Sequence, residues 1–215
     1  MVRLDILSDP ICPWCFIGKT NLDRALAEAG NPFEIAWHPF QLNPDMPRTG
    51  MDRADYLETK FGGRERAVSV YSRIDEAARA AGLVIDWGAI RRTPNTLDAH
   101  RLIRWAAPAR LQTEVVDGLF RAYFAEGRDI GDPGILADIA NDAGMDRDVV
   151  LRLLAGPNDE AEIRERDAHA RARGVQAVPT FIVADHHVVP GAQPPDLWKS
   201  VIREVSGAPN DVRVS

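Results

Sequence analysis

Cys12 and Cys15 are the only cysteines in the 215-residue chain, and they stand two residues apart in Asp9-Pro10-Ile11-Cys12-Pro13-Trp14-Cys15-Phe16-Ile17-Gly18. A thiol pair at that spacing can close to a disulfide and reopen, carrying two electrons without any other group. Two alternatives need weighing. A tetrahedral metal site requires about four ligands, and none of the five histidines lies at short ligand spacing from the pair. His186 and His187 are adjacent, which on a strand points them to opposite faces. No metal is therefore expected. A purely structural pair is the other alternative, but Cys-x-x-Cys beside a strand–helix pattern points to redox chemistry.

The elements that must position the pair can be read on either side of it. Val2 to Leu7 alternates apolar and polar residues, as a half-buried strand does. Phe16 to Ala29 reads as a helix with Leu22, Ala25, Leu26 and Ala29 on one face and Gly30 closing it. Pro13 suits the first helical turn, where its missing N–H leaves no bond unmade. Cys12 then sits at the helix mouth, where unpaired N–H groups and the macrodipole favour a thiolate. Cys15, one turn inside, should be more covered and placed to resolve a mixed disulfide on Cys12. Trp14, between them, should be partly exposed.

Phe33, Ile35 and Trp37 mark a second strand ended by Pro39, completing a βαβ unit whose strands should run parallel. From Pro44 to Ala155 strand signals disappear. A short helix is expected near 53–61. A longer one follows, with Val68, Tyr71, Ile74, Ala78 and Ala81 on its buried face and Gly82 as terminator. A third is capped by Asn95, with Asp98 three residues on. Val115, Val116, Leu119, Phe120, Tyr123 and Phe124 form one wide stripe on a helix over 113–126. Asp132-Pro133 and Asp146 open two more. Asn158 should cap a charged helix over 159–173, with Glu160–Arg164 and Glu162–Arg166 as i,i+4 pairs. Pro179 should begin a strand, because it cannot donate from a strand's middle. His187 to Val189 should hairpin back on it through Asp185-His186, followed by a closing helix over 196–205 and a patternless tail after Gly207, expected to fray.

The segment Asp-Pro-Ile-Cys-Pro-Trp-Cys-Phe-Ile-Gly-Lys resembles the active-site stretch of the DsbA-like thiol oxidoreductases, specifically their FrnE-like branch. Phe40-Gln41-Leu42-Asn43-Pro44, Asn95-Thr96 with His100-Arg101-Leu102, Val178-Pro179-Thr180-Phe181 and Gly191-Ala192-Gln193-Pro194 also resemble family segments. The resemblance implies an α/β, thioredoxin-like fold with an inserted all-helical domain. Its first part would be 1–44 (βαβ), the insertion 45–156, and the second part 157–215 (αββα). It implies a thiol–disulfide oxidoreductase in which Cys12 attacks and Cys15 resolves. Pro179, which residue statistics alone would leave trans since only about one X–Pro bond in twenty is cis, would be cis opposite the pair. Pro13, Trp14, Val178, Pro179 and Gln193 would frame substrate. The 2-hydroxychromene-2-carboxylate isomerases and kappa-class glutathione transferases are similar too. They typically carry serine where this chain has Cys12, and a glutathione-dependent isomerase or transferase is the alternative they imply.

Composition bounds the partners. Hydrophobic residues make up 45% and charged residues 27%, ordinary for a globular chain with a proper core. A net charge of −6 argues against nucleic acid, whose binders cluster Lys and Arg. No apolar run approaches a membrane span. Met1 leads directly into the first strand, so a cytoplasmic protein is expected. Protein or small-molecule thiols and disulfides are the expected partners, and a homodimer is compatible with the sequence. No dissociable cofactor is required, with glutathione entering as a redox partner. His38 and His100 are tempting as acid–base groups, but satisfied structural roles are expected for both.

Overall fold

A computed structural model describes residues 1–207, so the tail beyond Gly207, expected to fray, lies outside the described residues. Strand β1 (Val2–Ser8) leads through α1 (Pro13–Ala29) to β2 (Phe33–Pro39), which pairs parallel with β1 from Val2↔Phe33 to Ser8↔Pro39. The chain returns to this sheet only at β5 (Thr180–Val183), antiparallel to β1, and β6 (His187–Pro190), antiparallel to β5, giving the order β2-β1-β5-β6. The period-two pattern decides what each face covers. Leu4 and Ile6 lie opposite Val183 and Phe181, all fully or nearly fully buried. Phe181 meets Trp198 of α9 (Pro195–Val205) edge-on at 4.8 Å between ring centroids, and α9 packs along α1 on this face.

Between β2 and β5 lies a two-stranded ladder, β3 (Met51–Asp52) with β4 (Arg92–Thr93), where no strand was expected. Helices α2 (Arg53–Phe61) and α3 (Arg64–Ala80) follow β3, joined by Gly62 and Gly63. After β4 come α4 (Leu97–Ala106) and α5 (Gln112–Phe120), then α6 (Pro133–Asp142), α7 (Arg147–Leu154) and α8 (Glu160–Ala172). The expected stripe on α5 is buried throughout. It stays so because the helix widens into a π-helical turn over Arg121–Ala125, where Glu126 N–H bonds to Arg121 C=O at 3.1 Å, turning Tyr123 and Phe124 both inward. Asp132 and Asp146 cap α6 and α7 as expected, accepting from Ile135 and Val149 N–H. Among the described residues no helix is long and apolar enough to cross a membrane.

Several local expectations are corrected. Asn95 does not occupy the cap position of α4: its side chain closes a turn by accepting from Leu97 N–H (2.9 Å) and donates to Met46 C=O (2.6 Å), while Asp98 is drawn to Arg101 (2.7 Å). Asn158 is spent on the end of α7, donating to Leu153 C=O, and Asp159 stands at the start of α8 in the left-handed region. Leu26 is only partly covered and Ala29 is exposed. Val68 is exposed at the lip of a cavity. His186 lies in the hairpin turn, as expected, and its ring is tilted against that of His187 at 4.1 Å between centroids, so the two do not point to opposite faces.

Candidate active site

The turn into α1 is built by Asp9. Its backbone C=O accepts from Cys12 N–H (2.9 Å) and its Oδ1 from Ile11 N–H (3.2 Å), the Asx-type closure that aspartate offers a turn. Cys12 is the residue before the first helical turn, with Pro13 as the first helical residue, and its C=O accepts from Cys15 N–H at 3.0 Å. Contrary to the helix-mouth reading, the helix N–H groups do not bond the Cys12 sulfur. Sγ donates to the Val178 carbonyl at 3.6 Å.

That carbonyl belongs to the cis Val178–Pro179 peptide. The loop carrying it is fixed by Thr180 Oγ1 donating to Ala177 C=O (2.8 Å) and Gly191 N–H donating to Pro179 C=O (2.8 Å). It can approach α1 because residue 18 is glycine: a Cβ there would lie 3.1 Å from Pro179 Cγ and 3.3 Å from Ala192 Cα. The structure thus brings Cys12, Cys15, Val178 and Pro179 together. Trp14 is 38% exposed beside them, and Pro13 is half-buried. Gln193 lies in the loop between β6 and α9. Its side chain donates to Pro190 C=O (2.6 Å) and its own C=O accepts from Asn21 (3.0 Å).

Cys12 and Cys15 are both buried, at 3% and 2% exposure, so the expected difference in cover between them is small. What separates them is their surroundings. Burial pushes the Cys15 thiol well above its usual range, and the neighbouring Cys12 sulfur adds to this, while the Ser8 hydroxyl and Asp9 N–H favour the thiolate.

Behind the pair lies a polar cluster to which residue types and spacing assign no catalytic role. Asp9 is fully buried, and burial raises its carboxyl to about 7 although Leu42 N–H, Ile11 N–H and the Thr96 hydroxyl bond it; Asp167 adds to the rise. His100, from α4, lies 4.0 Å from Asp9, its Nε2 without a hydrogen-bond partner among the described residues, and burial lowers it to about 4. So His100 is structural but not satisfied. Asp167 of α8 accepts from Gln41 N–H (2.7 Å) and pairs with Arg171 (2.8 Å), tying β2's end to the helices. An aspartate one residue past an apolar strand and three before a cysteine was the available signal for Asp9. His100 stands out by its residue type, but nothing local could place it beside Asp9. His38 is held by Asp5 on one side and Arg166 on the other, away from the pair.

A family model described as the DSBA-like thioredoxin domain matches residues 3–203. Over 204 residues the chain is 28% identical to the uncharacterized protein YwbO of Bacillus subtilis (strain 168), across 94% of this chain and 96% of that protein. Its structure is similar to that of the probable DsbA oxidoreductase SCO1869 from Streptomyces coelicolor, with a TM-score of 0.83 and 27% identity over 100% of this chain and 94% of that one. It is also similar to the cytosolic disulfide reductase DsbM from Pseudomonas aeruginosa, solved with GSH. There the TM-score is 0.66 at 17% identity, over 95% of this chain and 99% of that one, a likeness of fold alone.

Proposed function

The chain belongs to the DSBA-like thioredoxin domain family, and from that premise we propose that it is a thiol–disulfide oxidoreductase of the FrnE-like type whose redox centre is Cys12 and Cys15. The observation that carries this is the meeting of Cys12 Sγ with the Val178 carbonyl at 3.6 Å, beside Pro179, across a fold whose two halves supply one side each. In the oxidising direction for the pair, the Cys12 thiolate attacks one sulfur of a substrate disulfide. A Cys12–substrate disulfide forms and the other substrate sulfur leaves as a thiolate. Cys15 then loses its proton and attacks the Cys12 sulfur, releasing the second substrate thiolate and leaving a Cys12–Cys15 disulfide; the two protons go to the released thiolates or to water. Two electrons pass from the pair to the substrate, and the reverse sequence oxidises a dithiol.

The Val178 main chain offers an extended substrate backbone a pairing edge, and Trp14 gives it an aromatic surface to lie on. No dissociable cofactor enters these steps. Glutathione acts as a redox partner, so adding it should change the oxidation state of the pair without conjugating electrophiles. A redox titration against glutathione, with mass spectrometry for mixed adducts, tests the reading. A pair that stays reduced across the whole range overturns it, and conjugation that survives Cys12→Ser favours the transferase alternative.

A further inference from the structure

Strand β1 turns its even residues towards α1 and α9. Leu4 and Ile6 are buried there opposite Val183 and Phe181, and by the period of two Ser8 shares their face. Arg3, Asp5 and Leu7 line a groove on the other side. The apolar row therefore ends on a hydroxyl, in a residue only 6% exposed. Ser8 Oγ has no hydrogen-bond partner among the described residues. A buried hydroxyl left without a partner weakens a fold, and alanine would fill the same place without that loss.

The start of α1 lies over this strand end. Cys15, Gly18, Leu22 and Ala25, spaced three or four apart, form one buried face of the helix. Gly18 shows where that face rests: a Cβ there would lie 3.4 Å from Phe181 Cζ and 3.1 Å from Pro179 Cγ. Phe181 stands opposite Ile6 in the sheet. In a βαβ unit with parallel strands the helix runs back against them. One turn towards its N-terminus is therefore a step towards the C-terminal end of β1. That turn carries Cys15, and that strand end carries Ser8.

The chemistry of the two groups fits the placement. A thiol is a weak acceptor, so the hydroxyl stands unpaired while Cys15 keeps its proton. A thiolate takes a charge-assisted hydrogen bond. The Ser8 hydroxyl and the Asp9 N–H both favour the charged form of Cys15, against the burial that opposes it.

We propose that Ser8 is the donor to the Cys15 sulfur during resolution, its hydroxyl held unpaired beside the thiol and bonding it as negative charge develops. This rests on the thiol–disulfide reading and adds a residue to that same site. The Cys15 proton goes to solvent, and the Cys15 sulfur attacks the Cys12 sulfur of the mixed disulfide. The Cys12–Cys15 bond forms, the Cys12–substrate bond breaks, and the substrate leaves as a thiolate. Ser8 keeps its own proton throughout. In reverse, a substrate thiolate attacks Cys12 and Cys15 is the leaving group, so the same hydroxyl meets the same charge. Cys12 faces the Val178 carbonyl instead, and the first attack, in which charge leaves Cys12, draws nothing from Ser8.

The test uses the full chain, unaltered and with Ser8→Ala, and glutathione as the substrate thiol. A glutathione mixed disulfide is formed on Cys12 at mildly acid pH and jumped to neutral pH, and its resolution is followed by quenched flow. The opening of the oxidised pair by glutathione is followed in the same way. Ser8→Ala should slow both about three- to tenfold, the effect of a charge-assisted bond half-formed at the transition state. Attack of reduced Cys12 on glutathione disulfide should stay within about twofold, since Cys15 carries no charge in that step. The redox midpoint against glutathione at neutral pH should not move, because both directions slow alike, and urea stability should not fall. Resolution at the unaltered rate overturns the proposal. So does equal slowing of all three steps with a loss of stability, which makes Ser8 a packing residue; either result leaves the oxidoreductase reading standing. Failure of the unaltered protein to form a Cys12–Cys15 disulfide overturns both.

Discussion

At the level of single side chains, the Cys15 thiol is packed against the Cys12 sulfur with Ser8 and Asp9 on its other side, whereas Cys12 faces the Val178 carbonyl across the gap where substrate would enter. The two should behave unequally. Cys15→Ser should trap mixed disulfides on Cys12, and Cys12→Ser should trap almost none; mass spectrometry of adducts from cell extract reads both. Equal trapping at the two positions would overturn the assigned roles. The order carries a pH dependence. Burial is the largest cause holding the Cys15 thiol up, and burial persists once Cys12 is in a mixed disulfide. Below the Cys15 value its thiolate fraction grows about tenfold per pH unit. Resolution of a preformed Cys12 mixed disulfide should accelerate accordingly from neutral into alkaline pH, followed by quenched flow. A flat profile would mean that another step limits release.

Among the elements, α1 and the Pro179 loop are held at contact by the absence of a side chain at Gly18. Alanine there would gain helix propensity of up to ~1 kcal/mol. The added methyl must displace Pro179 or Ala192, and overpacking of this kind costs about 1–3 kcal/mol. Gly18→Ala should therefore lower stability on balance in urea titration and slow exchange at Cys12, because Pro179 is joined directly to the Val178 carbonyl that meets the sulfur. A second element-level joint is Arg101. Fully buried on α4, it donates to the carbonyls of Leu153, Gly156 and Asn158 at the end of α7 and pairs with Asp98. Arg101→Met would leave the Gly156 and Asn158 carbonyls without their side-chain donor and cost Asp98 and the Leu153 carbonyl their shortest one, a loss of about 3–5 kcal/mol. Arg101→Lys should recover little, since one ammonium cannot span so many acceptors.

For the molecule as a whole, Asp9 and His100 connect acidity to stability where sheet and helices meet. His100 stays neutral in the fold down to about 4, against 6.5 when exposed. Between those values the unfolded chain binds the extra proton, so this group makes stability rise with pH across that window. Asp9 works in the opposite sense. Its folded carboxyl keeps its proton up to about 7, against 3.8 when exposed, so its contribution to stability falls as pH rises from about 4 to 7. The two oppose each other below 6.5. Replacing His100 by glutamine removes one of them. The stability of the native chain relative to His100→Gln should rise on the order of 3 kcal/mol between pH 4 and 6.5, measured by urea unfolding at intervals across that window. Parallel curves for the two proteins would show that His100 titrates normally in the fold.

The strand, the helix and the pair between them could be read locally, because hydrophobic period, proline placement and cysteine spacing are all short-range signals. The same holds for the four-strand content of the sheet and for the caps Asp132 and Asp146, whose side chains bond N–H groups within three residues. Asn95 and Asn158 carry the same cap signature, yet distant or competing partners, the Met46 carbonyl for one and Leu153 for the other, took their side chains. The π-helical turn in α5 arose from packing two consecutive aromatics inward, which no period along the chain announces. Val68 looked like a core residue by spacing and is exposed because α2 and α3 part there, which depends on how two helices meet. Above all, residue spacing could name Cys12 and Cys15, and the family resemblance Pro179, but the Asp9–His100 and Arg53–Tyr71 contacts join residues that no local pattern relates. Burial and proximity, which shift an acid to about 7, exist only once the sheet and the helices have packed.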